Sequence, residues 1–170
     1  MAFNISDAYW IVSGQPLLAW SSARFTYVDT AADVGFQTYV AAGNQATQVT
    51  SFHVLADVMR LQRVPAYLLS GVTVTFTQTP SLTSVYALDP TSMDQVGTLA
   101  RDTACNFGFP GGSLSFQYPD FNSNMLSFNA AQIQQLYIAL RDYTNAVYQA
   151  VAALVFELPG AVMPPTTVVI

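Results

Sequence analysis

Residues 129–154 read NAAQIQQLYIALRDYTNAVYQAVAAL. Asn129 has a short side chain suited to accept from an orphan amide at a helix start. Gln132 stands three positions on, where it completes a reciprocal capping box. From there Ile133, Leu136, Leu140, Tyr143, Val147, Ala150 and Leu154 recur in alternating steps of three and four. That spacing predicts a long helix over about 130–154 with one continuous apolar seam, widened by Tyr137, Thr144, Tyr148 and Val151. Pro159 and Gly160 end it. Such a seam has two uses: it packs on the chain's own sheet, as amphipathic helices do by default, or it pairs with copies of itself. Ile133, Leu136, Leu140, Tyr143, Val147 and Leu154 are therefore candidate interface residues.

Upstream of this helix the periodicity changes. Val72, Val74 and Phe76 alternate with Thr73, Thr75 and Thr77, the pattern of a strand with one apolar and one hydroxylated face. Asp89-Pro90-Thr91 opens a further helix with Val96, Leu99, Ala100 and Thr103 on one side. Phe109-Pro110-Gly111-Gly112 is a turn-rich junction. Leu114, Phe116 and Tyr118, then Met125, Leu126 and Phe128 after Pro119-Asp120, predict a hairpin. Nearer the start, Tyr9–Val12, Leu17–Trp20 and Phe25–Val28 form a predicted β meander. Helices follow, one closed by Gly43-Asn44 and one over Phe52–Leu61 stopped by Pro65. The fold class expected is α+β: small antiparallel sheets, packed helices and the long C-terminal helix. The expected division is an N-terminal α+β module over 1–64 and a C-terminal α+β module over 65–170. After Pro159 the chain is extended and apolar. Val168, Val169 and Ile170 are read as an arm that lies on, or adds a strand to, a neighbour.

Composition narrows the function. Across 170 residues, apolar side chains make up 52% but charged ones only 9%, against roughly 25% in an ordinary soluble domain. There is no lysine, and Glu157 is the one glutamate. A surface so short of ions has to be built from Ser, Thr, Asn, Gln, Ala and aromatic tips. It is either neutral and hydroxyl-rich or covered in part by partners. The net charge of −5 and the scattered arginines (Arg24, Arg60, Arg63, Arg101, Arg141) argue against nucleic acid and anionic membrane surfaces, which need clustered cations. The first residues lack the basic region and cleavage site of a signal peptide, and 143–156 is too short and polar to span a bilayer. The expectation is a chain made in the cytoplasm and used without membrane insertion.

Chemistry finds little to work with. His53 is the sole histidine, beside Phe52 and Val54 in a predicted helix, and reads as a structural side chain. Cys105 is the sole cysteine and reads as a buried small hydrophobe. The aspartates (Asp7, Asp29, Asp33, Asp57, Asp89, Asp94, Asp102, Asp120, Asp142) stand singly, without calcium-loop spacing. No phosphate-cradling motif is present. The expectation is no catalytic site, no cofactor and no metal. The aromatic set, from Trp10 and Trp20 to Tyr148, reads as core and protein interface, with a platform for a host glycan as the alternative.

The run from Tyr27 to Asn44, YVDTAADVGFQTYVAAGN, resembles a strand–helix module of bacteriophage tail-fibre-associated and tail-fibre-assembly proteins, with Tyr39 where that family usually has Trp. Phe116-Gln117-Tyr118-Pro119-Asp120 followed by Leu126-Ser127-Phe128-Asn129-Ala130-Ala131-Gln132 resembles a second module of the same proteins. Asn124 and Asn129 stand where a glycine turn and a capping Thr are usual. The resemblance implies a non-enzymatic tail component in the virion, a connector or adaptor at the fibre or baseplate end. Its partners would be other phage tail proteins and copies of itself. A fibre-assembly chaperone and a glycan-binding module are the alternatives.

Overall fold

The computed structural model describes residues 8–170, so Asp7 and the rest of 1–7 lie outside the described residues. The fold is α+β, with small separate sheets and a long C-terminal helix. The chain forms two compact units, Met1–Tyr67 with Val147–Met163 and Leu68–Ala146 with Pro164–Ile170. The first junction falls three residues beyond the division expected at 64. The second falls inside the long helix, so each unit is built from two separate stretches of sequence.

In the first unit, β1 (Tyr9–Val12), β2 (Leu18–Ser21) and β3 (Thr26–Asp29) form the expected meander. Helix α1 (Val34–Ala41) then carries the chain back, so that β4 (Thr47–Val49) pairs with β1 in parallel and gives the order β3-β2-β1-β4. Both faces of this sheet are covered. On one, Tyr9, Ala19 and Val28 pack with Phe36 of α1, and the Tyr9 and Phe36 rings meet edge to face at 5.1 Å. On the other, Trp20 is fully buried and its indole N–H donates to the Met59 sulfur at 3.0 Å.

Met59 lies in a helical stretch that departs from expectation. Pro65 does not end the helix begun by α2 (Phe52–Val58). A π-helical segment, Met59–Arg63, joins α2 to α3 (Val64–Leu68). Proline lacks the N–H that an α-helix would require at that position. The wider π turn absorbs the defect, with the Val64 N–H reaching back to the Met59 carbonyl.

The second unit is built on β5 (Val72–Thr75), whose Val72 and Val74 are buried while the threonines between them are partly open. It pairs antiparallel with β6 (Ser84–Tyr86). Helix α4 (Pro90–Ala104) starts at Asp89, whose carboxylate accepts from the Thr91 and Ser92 amides. The hairpin of β7 (Phe116–Pro119) and β8 (Met125–Phe128) follows. Helix α5 (Ala130–Val155) opens with the predicted box: the Gln132 N–H donates to Asn129 Oδ1 and the Asn129 N–H to Gln132 Oε1, both at 2.9 Å. The last strand, β9 (Thr167–Val169), lies parallel to β5 on its other side, giving the order β6-β5-β9.

Candidate docking surface

The residues that carried the expected interface do not form one surface. Ile133, Leu136, Leu140 and Val147 have no solvent exposure, and Tyr143 retains 5%. The α5 seam is therefore core, and a side chain with no exposed area meets no partner while the fold stands. Of the helix set only Leu154 is half-exposed. The arm is not free either. Val168 sits opposite Val74 in the sheet, and the Ile170 N–H donates to the Thr75 carbonyl at 2.9 Å. Val169 alone stands out to solvent.

The polar residues that looked available for chemistry are engaged in holding the backbone. In the first unit, Arg24 grips both oxygens of Asp33 at 2.7 and 2.9 Å and also donates to the Tyr9 hydroxyl at 3.0 Å. Asp33 in turn caps α1 by accepting from the Phe36 N–H at 2.8 Å. The hydrogen bonds from the Arg24 side chain, and then that from the Phe36 amide, pull the Asp33 carboxyl down to about 2. Asp29 accepts from the Ala31 and Ala32 amides and fixes the turn before α1. The run 27–44 is thus a strand, an Asx turn and a capped helix, locked by one arginine.

In the second unit Asp120 plays the same part. One oxygen accepts from the Asn122 and Asn124 amides, and the other from the Ser84 hydroxyl at 2.7 Å and the Asn124 side chain at 2.9 Å. Burial alone would raise its carboxyl. The bonds from Asn124, Ser84 and Asn122 outweigh that and hold it below the ordinary value. Tyr118 is pushed up to about 12, by burial first and then by the Asp89 charge, and its hydroxyl donates to the Ser92 carbonyl at 3.0 Å.

His53 is exposed, its ring against the edge of Phe156 at 4.9 Å, at a small hollow of about 250 Å³ with Tyr148 and Arg60. Cys105, expected inside, is exposed: it caps the C-terminal end of α4, where the chain turns away from the core. Among the described residues no three His, Cys, Asp or Glu side chains stand close enough to hold a metal ion, and no helix is long and apolar enough to cross a membrane. Of the aromatic set, Trp10, Trp20, Tyr86 and Tyr118 are buried in the cores.

What reaches solvent instead is a set of single large apolar side chains, among them Leu114, expected in the first strand of the hairpin but lying before β7. The most prominent pair belongs to the loop between α4 and β7. Phe107 is 80% and Leu114 92% exposed. They flank Phe109, which is buried and stacked on the Phe116 ring at 5.8 Å. Phe109 anchors the loop, and the turn at Pro110-Gly111-Gly112, with φ of 75° and 71° at the glycines, presents the two tips. Phe116 also borders a shallow groove of about 490 Å³ between β7 and α4, lined by Gln95, Leu99, Gln117 and Pro119. A second groove, of about 530 Å³, runs between α4 and α5 over Thr98, Arg101, Gln134 and Ile138. Gly97 shapes it: a Cβ there would stand 3.1 Å from the Tyr137 ring, which would have to give by a few tenths of an ångström. The loop tips and the two grooves are the candidate docking features of the second unit.

Comparison with known proteins finds no family model, no curated protein and no solved structure that matches this chain.

Proposed function

We propose that this chain is a non-enzymatic structural subunit of a bacteriophage tail, a connector or adaptor at the fibre or baseplate end, which works by packing against other tail proteins and copies of itself. The observation that carries the docking half is the pairing of a charge-poor composition with large apolar tips held out to solvent. Phe107 and Leu114 are more than three-quarters exposed on a loop whose own anchor, Phe109, is buried. Exposed apolar side chains on a surface with few ions favour association, because covering them removes apolar area from water at a gain of about 25 cal/mol per Å². The tail assignment rests on the resemblance of 27–44 and 116–132 to tail-associated modules.

The polar groups support the non-catalytic reading in a specific way. Asp29, Asp33, Asp89 and Asp120 each accept backbone amides, and their charge is directed to caps and turns. The test is quantitative mass spectrometry of purified particles from a phage that encodes this chain. The expected result is the chain at a fixed copy number relative to other tail proteins. Its absence from finished particles, with capture of fibre protein during synthesis, would transfer the assignment to an assembly chaperone. Absence in both settings removes the tail reading altogether.

A further inference from the structure

The seat of β9 has the properties of an acceptor site. Strand β5 is central in its sheet, with Val72 and Val74 buried and Phe76 just beyond it also buried. On the side away from β6 its backbone needs a partner strand. The Thr73 N–H donates to the Thr166 carbonyl at 3.0 Å, the Thr77 N–H and hydroxyl both donate to the Ile170 carbonyl at 2.9 Å, and the Ile170 N–H returns to Thr75. Buried strands do not leave such groups bare.

The donor is held far less firmly than the seat. No residue from Ala161 to Ile170 is buried. Within Thr166–Ile170, Thr166, Thr167 and Val169 are exposed and Val168 and Ile170 are half-covered. Hydrogen bonds to backbone, each a net gain of about 1 kcal/mol, make up most of the hold. Segments with few buried contacts open at a small fraction of the global stability. The chain reaches this seat from the first unit, through Met163-Pro164-Pro165, after seventeen residues assigned there (Val147–Met163). Two prolines in succession make that connector extended and stiff. No charged residue lies in 158–170 or in 70–88, so neither strand nor seat carries like charges to repel a second copy.

We propose that Thr166–Ile170 is an exchangeable arm, and that the edge of β5 is an acceptor site which the same segment of a second copy fills. Every backbone bond of the closed chain is remade between chains, so exchange costs only the reorientation of the connector. The closed chain wins when copies are dilute, because its own arm is present at an effective concentration on the order of millimolar. Exchange takes over where copies are held side by side. This inference does not depend on the tail assignment, since it applies to any assembly that crowds copies together.

The test uses the full chain with Cys105→Ser throughout. One preparation carries Thr73→Cys and another Thr167→Cys, positions that are register partners across β5 and β9. Paired strand positions are about 5 Å apart, within disulfide range, whereas an offset of two residues is not. The preparations are unfolded and refolded together at millimolar concentration under mild oxidation. The expected product is a covalent heterodimer, several-fold more abundant than with the mismatched pair Thr73→Cys and Val169→Cys. Equal yields from matched and mismatched pairs overturn the proposal. The unaltered chain gives an independent readout by light scattering: its mass is expected to double as concentration rises to millimolar. A constant single-chain mass over that range also overturns it.

Discussion

Leu140 offers the sharpest discrimination between a helix that packs on its own chain and one that pairs with copies. Its side chain lies in the middle of the α5 seam with no solvent exposure. Replacing it by Ala removes three buried carbons and leaves a gap that its neighbours close only in part. The cost expected for such a change is about 3 kcal/mol. With a urea dependence of about 2 kcal/mol per molar for a chain of this size, the midpoint of unfolding falls by about 1.5 M. Ile138 is the internal control. It stands on the outer side of the same helix, 47% exposed. Its replacement by Ala costs about 1 kcal/mol or less, because part of the lost burial is offset by the better helix propensity of Ala. Both variants are measured by circular dichroism across urea at two protein concentrations. The Leu140→Ala loss should be the same at each, since the contact is within one chain. A loss that appears only at high concentration, or a Leu140→Ala midpoint no lower than that of Ile138→Ala, would show that the seam is an intersubunit surface after all.

Three further outcomes are expected. Phe107→Ser with Leu114→Ser should leave the free energy of unfolding within about 0.5 kcal/mol of the parent, because exposed tips contribute little to the fold, while self-association and binding to tail components, read by light scattering and pull-down, fall sharply. Gly35→Ala should destabilise the first unit by about 1–3 kcal/mol in a thermal melt, since the added Cβ would stand 2.9 Å from the buried Tyr9 hydroxyl and press on the Arg24–Asp33 pair. Asp33 has a folded value of about 2 against an ordinary 3.8, so its contribution is present above about pH 4 and is lost as pH falls towards 2. Asp89 and Asp120 are lowered in the same direction. Stability followed by urea titration at successive pH values should therefore decline through that acidic window, and Asp33→Asn should flatten part of the decline.

The elements written in local chemistry were legible from the sequence. The Asn129–Gln132 box, the Asp89 cap and the alternation through Val72–Phe76 lie where periodicity and capping rules put them, because each depends on residues within one or two turns. What could not be read depends on long-range pairing. The parallel additions of β4 to β1 and β9 to β5 bring together residues up to about a hundred positions apart. A three-residue strand such as Thr167–Val169 carries no pattern that names its partner. The helix through Pro65 was hidden for a different reason: proline forbids the α-helical bond, and the sequence does not say that a π turn will bypass it. The docking surface was illegible because Phe107 and Leu114 look like core residues by type. Only the φ of Gly111 and Gly112 and the burial of Phe109 between them turn the pair outward.

The scarcity of charge has a structural counterpart in where the charges sit. Arg24 and Asp33, and Asp29, Asp89 and Asp120 with the amides they hold, fix turns and helix starts that other chains often fix with Gly, Pro or a larger core. Asp120 is buried and Asp33 and Asp89 are half-buried, so these three are partly withdrawn from the solvent-facing charge that keeps copies apart. The remaining ion pairs among the described residues, Arg60 with Asp57 at 3.4 Å, Arg101 with Asp102 at 3.9 Å and Arg141 with Asp142 at 2.7 Å, are exposed, and such pairs are each worth about 1 kcal/mol or less. The outer face is left to hydroxyls, amides and apolar tips, which neither repel a neighbour nor demand a charged partner. On the proposed reading such a chain gains specificity from shape, through loop tips presented on a buried anchor and a strand seat of fixed register. Its association should therefore weaken little as salt rises, in contrast to charge-steered complexes, whose association falls steeply with ionic strength.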